Sequence, residues 1–172
     1  MTRILGIDPG SRQTGYGIID QEGSQVRHVA SGHIPLQSGD FPERLRIIHD
    51  GITDLVEQYQ PTELAIEKVF VHRNADSALK LGQARAAAIC GTFGRRLGIA
   101  EYTPREIKLA VVGRGAAAKE QVQHMVGVLL GIKRQLQTDE ADALAAALCH
   151  ALTRETHLRI EAAKNKQRDN KE

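Results

Sequence analysis

Apolar and polar positions divide the chain into short solid runs and longer periodic stretches. Ile4-Leu5-Gly6-Ile7 is an apolar run that ends in Asp8, and Gly15-Tyr16-Gly17-Ile18-Ile19 follows a Pro9-Gly10 turn. Two such runs around a turn predict a β-hairpin whose first strand is buried. Strands are expected over 3–8, 14–20 and about 25–35. From 41 to 59, Leu45, Ile48, Ile52, Leu55 and Val56 recur at helical spacing, and Pro61 ends the pattern. Leu64-Ala65-Ile66 predicts a short buried strand that also ends in an acid, Glu67.

The clearest helix is predicted over 75–97, capped by Asn74, with Ala78, Leu79, Gly82, Ala86, Ile89, Cys90, Phe93 and Leu97 as its periodic set. Ile99 to Tyr102 predicts a fifth strand. Thr103-Pro104-Arg105-Glu106 has the form of a capping box with proline at the first helical position. Gly113-Arg114-Gly115 is a connector, and helices follow over about 116–130 and from Thr138 to about Arg154. The order of elements predicts an α/β fold with a mixed five-stranded β-sheet covered by helices. Residues 1–157 are expected to form one domain, and 158–172 a charged, flexible tail.

Composition sharpens this picture modestly. Aromatic residues make up 3% of the 172 and Trp is absent, so the core must be aliphatic and rich in alanine. No stretch approaches the length of a membrane span and the N-terminus lacks a signal-peptide pattern, which predicts a cytoplasmic protein. Cys90 and Cys149 sit in Ala-rich helical patterns, without zinc spacing, and read as small buried hydrophobes.

Charge changes the picture more. The net charge is +2, but residues 72–134 carry 11 Lys/Arg against 4 Asp/Glu, while residues 1–71 carry 6 against 10. A basic middle third beside acidic outer parts suits an anionic polymer held next to an acidic site. Solvated helix faces with a local cationic excess would give the same count.

The candidate chemistry lies in four acids. A carboxylate closing a buried strand is costly unless paired or bound to a cation, so Asp8 is either a turn former or a metal ligand. Glu67 ends a second buried strand, and Asp139 and Asp142 lie three apart on one face of the last helix. First-turn acids oppose the helix dipole, which accounts well for Glu140 and less well for Asp142. If the four converge, their repulsion raises their pKa values and a hard divalent cation relieves it. Two such ions make a standard site for phosphodiester hydrolysis.

The motifs ILGIDPGSRQTGYG at 4–17, AIEKVF at 65–70, NADSALKLGQAR at 74–85, VVGRGAAAKEQVQHMV at 111–126 and DEADALAAA at 139–147 together carry a resemblance. The chain resembles the RuvC-type Holliday junction resolvases of the RNase H-like superfamily over about residues 3–155. That resemblance implies an RNase H-like sheet with helices on both faces. It implies a dimeric endonuclease that makes paired symmetric nicks in four-way junction DNA during recombination and repair. It further implies Asp8, Glu67, Asp139 and Asp142 as catalytic residues and ligands of Mg²⁺, with Mn²⁺ as substitute and two ions per site.

DNA contacts are implied for Lys108 and Lys119 near the cut, and for Phe70 at the crossover. His72 and Arg73 beside Phe70, and Lys80 and Arg114 within the motifs, extend that set. The RuvA–RuvB branch-migration complex is an implied partner. No His lies between His124 and His150, so a histidine base on the last helix is not supported.

Rival readings are weaker. Actin-like ATPases and sugar kinases open on a similar hairpin but repeat the fold in two lobes, for which 172 residues are too few. A related small nuclease of RNA or other branched DNA fits the same acids. A junction-binding protein without activity would have no need of all four.

Overall fold

In the computed structural model the described residues are 1–10, 12–36, 39–69 and 75–169, with backbone alone beyond 156. Ten elements follow in chain order: β1 (Thr2–Asp8), β2 (Gln13–Glu22), β3 (Gln25–Pro35), α1 (Phe41–Tyr59), β4 (Glu63–Glu67), α2 (Ala75–Cys90), β5 (Gly98–Tyr102), α3 (Pro104–Val112), α4 (Lys119–Leu130) and α5 (Thr138–Asp169). The five strands form one mixed sheet in the order β3-β2-β1-β4-β5. β1, β2 and β3 are an antiparallel meander, whereas β4 runs parallel to β1 and β5 parallel to β4.

The alternation of side chains along β1 separates two cores. Leu5 and Ile7, with Ile18, Leu64 and Ile66, pack against α1 and Ala84 and Ala88 of α2. Ile4, with Ile19 and Ala65, packs against α3, α4 and the Ala-rich start of α5. Helices therefore cover both faces. β1 is buried from both sides, which is why it reads as a solid apolar run rather than an alternating one.

Local sequence explains most boundaries. Asp40 caps α1 by accepting the Glu43 backbone N–H at 3.0 Å. Gln60, left-handed at φ 51°, closes that helix just before Pro61. Thr103 and Glu106 form the expected capping box of α3. α4 begins at Lys119, three residues later than the expected start.

Three expectations are corrected. α2 ends at Cys90, not 97, because the chain turns there to enter β5; a Cβ on Gly91 would stand 2.6 Å from the His49 carbonyl oxygen of α1. The face α2 buries is the one through Ala84 and Ala88, whereas Leu79 (68% exposed) and Phe93 (66%) face outward. Cys90 is accordingly exposed and only Cys149 is buried. At the other end, α5 continues through Asp169, past the expected stop near Arg154. Its Lys, Glu, Gln, Arg and Ala residues are good helix formers. Asn74 lies outside the described residues.

Candidate active site

Topology brings the acids together. Because β1 and β4 are parallel neighbours, with Ile7 opposite Ile66, their last residues Asp8 and Glu67 emerge at the same edge of the sheet. This carboxyl edge of parallel strands is where open α/β sheets place their chemistry. The Pro9-Gly10 turn keeps its structural role as well, since a Cβ on Gly10 would stand 2.1 Å from the Gln13 carbonyl oxygen.

α5 brings the other two acids by lying directly on β1 and β2. A Cβ on Gly6 would be 2.0 Å from the Ala143 carbonyl oxygen, and one on Gly17 would be 2.6 Å from the Leu144 side chain. Glycines on the strands and alanines on the helix thus let backbone approach backbone. The helix starts at Thr138, as expected, and its cap is the residue before it. Gln137 acts as its N-cap, with its carbonyl accepting from Ala141 at 2.9 Å and its N–H bound by Glu140 at 3.1 Å. Asp139 and Asp142 follow on one face.

The electrostatics are those of a crowded carboxylate cluster. Burial pushes the Asp8 carboxyl up to about 7, and the charges of Asp142, Glu67 and Asp139 push in the same direction. Glu67 is raised by burial and by Asp142. Asp142 is raised chiefly by burial, against a downward pull from Lys119. Lys119, the first residue of α4, places its Nζ 2.6 Å from Asp142 Oδ2. Its own pKa is raised overall, because the acids outweigh a desolvation that acts the other way.

Two small clefts meet at Glu67 and Pro104. One, of about 190 Å³, joins Glu67 and Asp142 to Lys108 and Lys119. The other, of about 170 Å³, joins Asp8 and Glu67 to Lys68, Val69 and Leu81. Larger clefts of about 570 and 660 Å³ lie elsewhere. The small ones bring Asp8, Glu67 and Asp142 together with Lys68, Lys108 and Lys119. Shallow openings of this size suit a phosphate on a polymer rather than an engulfed small molecule.

The donors are all hard oxygens, as Mg²⁺ or Mn²⁺ prefer. Among the described residues, however, no three His, Cys, Asp or Glu side chains form a group ready to hold a metal as they stand. Lys119 already supplies one positive charge among the acids.

The expected DNA-contacting residues fall into three groups. Lys108 and Lys119 join the acids. Arg114 is exposed on the α3–α4 connection, and Lys80 is paired with Asp76 on its own helix at 2.7 Å. Phe70, His72 and Arg73 lie outside the described residues.

Sequence reasoning missed Lys68, which lines the Asp8 cleft, and Arg85. The Arg85 guanidinium holds the Glu67 carbonyl at 3.3 Å and also pairs with Glu101. Its only signal was its place at the end of a matching motif. His150 is engaged away from the acids, with Tyr102 at 2.7 Å and Glu63 at 2.5 Å.

Known proteins resemble this chain in sequence and in fold. A family model described as "Crossover junction endodeoxyribonuclease RuvC" matches residues 4–150. A Methylococcus capsulatus protein of that name is 56% identical over 160 residues, covering 93% of this chain and 96% of the relative. The solved structure titled "T. thermophilus RuvC in complex with Holliday junction substrate" superposes with a TM-score of 0.85 at 31% identity, over 91% of this chain and 97% of that one. The yeast mitochondrial Holliday junction resolvase Ydc2 shares the fold at a TM-score of 0.65 and 14% identity, over 95% and 86% of the two chains.

Proposed function

The chain belongs to the RuvC family of crossover junction endodeoxyribonucleases, and we propose that Asp8, Glu67, Asp139 and Asp142 carry its cleavage of Holliday junctions. The observation that carries this assignment is Asp8. It closes a strand buried on both faces, and its carboxyl is driven to about 7 by burial and by the other three acids. A fold does not maintain such a cluster for stability, since every like charge in it opposes folding.

The acids are the ligands for divalent cation, Mg²⁺ or Mn²⁺, with room in the donor set for two ions. When bound, such ions lower the pKa of water and stabilise charge on the leaving oxygen. Binding requires the carboxylates to draw together and Asp142 to be released from Lys119. Lys119 and Lys108 then face the scissile phosphate from α4 and α3 and neutralise its oxygens. Asp8 and Glu67 stay fixed because each ends a strand, and the fixed frame supplies orientation.

Paired symmetric nicks need two such sites, so the active form is read as a homodimer. Leu79, Ala86, Cys90 and Phe93 support α2 as its face, because they leave an apolar stripe uncovered. Residues 1–157 are read as the nuclease domain and 158–172 as a tail. Lys80, Arg114, Phe70, His72 and Arg73 are read as outer DNA contacts, and the RuvA–RuvB complex as the partner that delivers the junction. Among the described residues no helix is long and apolar enough to cross a membrane, and the setting read for the enzyme is the cytoplasm, with the DNA.

The test is incubation with a synthetic four-way junction and Mg²⁺ or Mn²⁺, beside linear duplex and RNA–DNA hybrid. Symmetric junction nicks with intact duplex and hybrid are expected. An uncut junction, or hybrid cut equally well, overturns the reading.

A further inference from the structure

Glu140 sits between Asp139 and Asp142 in sequence, yet its bonds run away from them. It is 2% exposed. Its Oε1 accepts from the Ser31 hydroxyl at 2.7 Å, and its Oε2 from Arg134 Nη1 at 2.9 Å and the Gln137 N–H at 3.1 Å. Arg134 Nη2 donates as well to Oε1. Ser31 is held in turn by His28 Nε2 at 2.7 Å.

An ordinary helix cap would need only the Gln137 contact. The others tie the first turn of α5 to β3, through Ser31, and to the α4–α5 connection, through Arg134. A bond along the axis fixes where a helix begins; bonds to two flanking elements also fix its rotation about that axis. Rotation matters here because Asp139 and Asp142 project from the same turn. Their carboxylates lie about twice as far from the axis as the Cα radius of about 2.3 Å, so a rotation of about 20° moves them about 1.5 Å. A misplacement of about 1 Å can cost a hundredfold in rate.

We propose that Glu140, clamped by Arg134 and Ser31, is a positioning residue that aims Asp139 and Asp142 at the junction phosphate and its cations. The inference rests on the nuclease reading above. Glu140 touches neither substrate nor the reacting atoms; it acts through the helix turn it holds.

The experiment compares Glu140→Ala, Glu140→Gln, Arg134→Ala, Ser31→Ala and the Glu140→Ala/Arg134→Ala double variant with the unaltered protein. Three quantities are read: single-turnover cleavage of a four-way junction across a Mg²⁺ series, junction affinity without metal, and Mn²⁺ affinity of the DNA-free protein by calorimetry. Glu140→Ala is expected to slow cleavage about 30–100-fold and to weaken Mn²⁺ binding about fivefold, with junction affinity within about twofold. Arg134→Ala should match it, and the double variant should be no worse than either, as for residues acting in one unit. Glu140→Gln, which keeps one acceptor oxygen for the Gln137 N–H and can turn its amide N–H to the Ser31 hydroxyl oxygen but loses the ion pair with Arg134, should recover part of the rate.

Unchanged cleavage and Mn²⁺ affinity in a protein with a lowered melting temperature would overturn the proposal, leaving a cap and nothing more. Multiplying losses in the double variant would overturn the shared unit. If Glu140→Ala does not fold, Arg134→Ala and Ser31→Ala carry the same comparison. A junction left whole by the unaltered protein sinks the nuclease reading instead, and Mn²⁺ affinity still tests whether Glu140 sets the acids.

Discussion

Gly15 and Asp139 meet backbone to backbone: a Cβ on Gly15 would stand 2.0 Å from the Asp139 carbonyl oxygen. Gly15 is also the register partner of Asp8 across β1 and β2. One glycine therefore separates two of the four acids and sets how closely α5 can approach the sheet edge.

Gly15→Ala should push the first turn of α5 outward. Overpacking against backbone costs about 1–3 kcal/mol of stability. Because the displaced turn carries Asp139, cleavage should fall further than stability implies, by about a hundredfold. Thermal melting and single-turnover cleavage at a temperature where the variant is fully folded check this. A rate that falls only with the folded fraction would show that the contact serves packing alone.

Lys119→Gln should remove the cation nearest Asp142 while keeping a polar side chain of similar length. Asp142 would lose the group that pulls its pKa down. The cleavage rate should fall about 10–100-fold, as for loss of a charge at a transferring phosphate. Junction affinity should weaken modestly, with its salt dependence reduced by about one unit of slope. Gel-shift titrations at several salt concentrations check the slope, and a slope equal to that of the unaltered protein would remove Lys119 from the DNA contacts.

The acids were legible in the sequence for a physical reason. Each of Asp8 and Glu67 interrupts a run too apolar to be a surface strand, and the spacing of Asp139 and Asp142 fixes them on one helical face. What could not be read was everything that depends on a partner distant in sequence. Gly6, Gly15 and Gly17 look like loose strand glycines until α5 lies on them. Glu140 looks like a first-turn acid until Ser31 and Arg134, from β3 and the preceding connection, close around it.

Which face of α2 packs on the sheet could not be read from its periodicity, because its strongest periodic set is the uncovered one. The buried side is made by the two small residues Ala84 and Ala88, which hydrophobicity alone underweights. Periodicity ran on past Cys90 for the same reason, since Phe93 belongs to the outward stripe.

That stripe yields a prediction about assembly. Leu79→Glu should place a charge on the uncovered face at little cost to the monomer, because Leu79 is 68% exposed. Light scattering behind gel filtration should show a dimer for the unaltered chain and a shift to monomer for the variant. Junction cutting should then lose its pairing, with single nicks accumulating. A variant that stays dimeric and nicks in pairs would place the dimer face elsewhere.

Asp8→Asn separates the chemical role of the carboxylate from its cost. The Asp8 carboxyl is raised in the folded protein to about 7, whereas in the unfolded chain it titrates near 4. The folded state therefore holds its proton more tightly, and stability falls as pH rises from about 4 through about 7, then levels. Asn carries no such charge. In metal-free buffer Asp8→Asn should thus match the unaltered protein near pH 4 and exceed it by about 4 kcal/mol at about pH 8. Adding Mg²⁺ should reverse the order, because cation binding stabilises only the chain with its full set of acids. Cleavage should be abolished throughout, with junction binding at low salt retained. Denaturant melts at the two pH values, with and without Mg²⁺, read each arm. If Asn is no more stable than Asp at the higher pH without metal, neither the burial of the Asp8 carboxylate nor the acids crowded around it oppose folding.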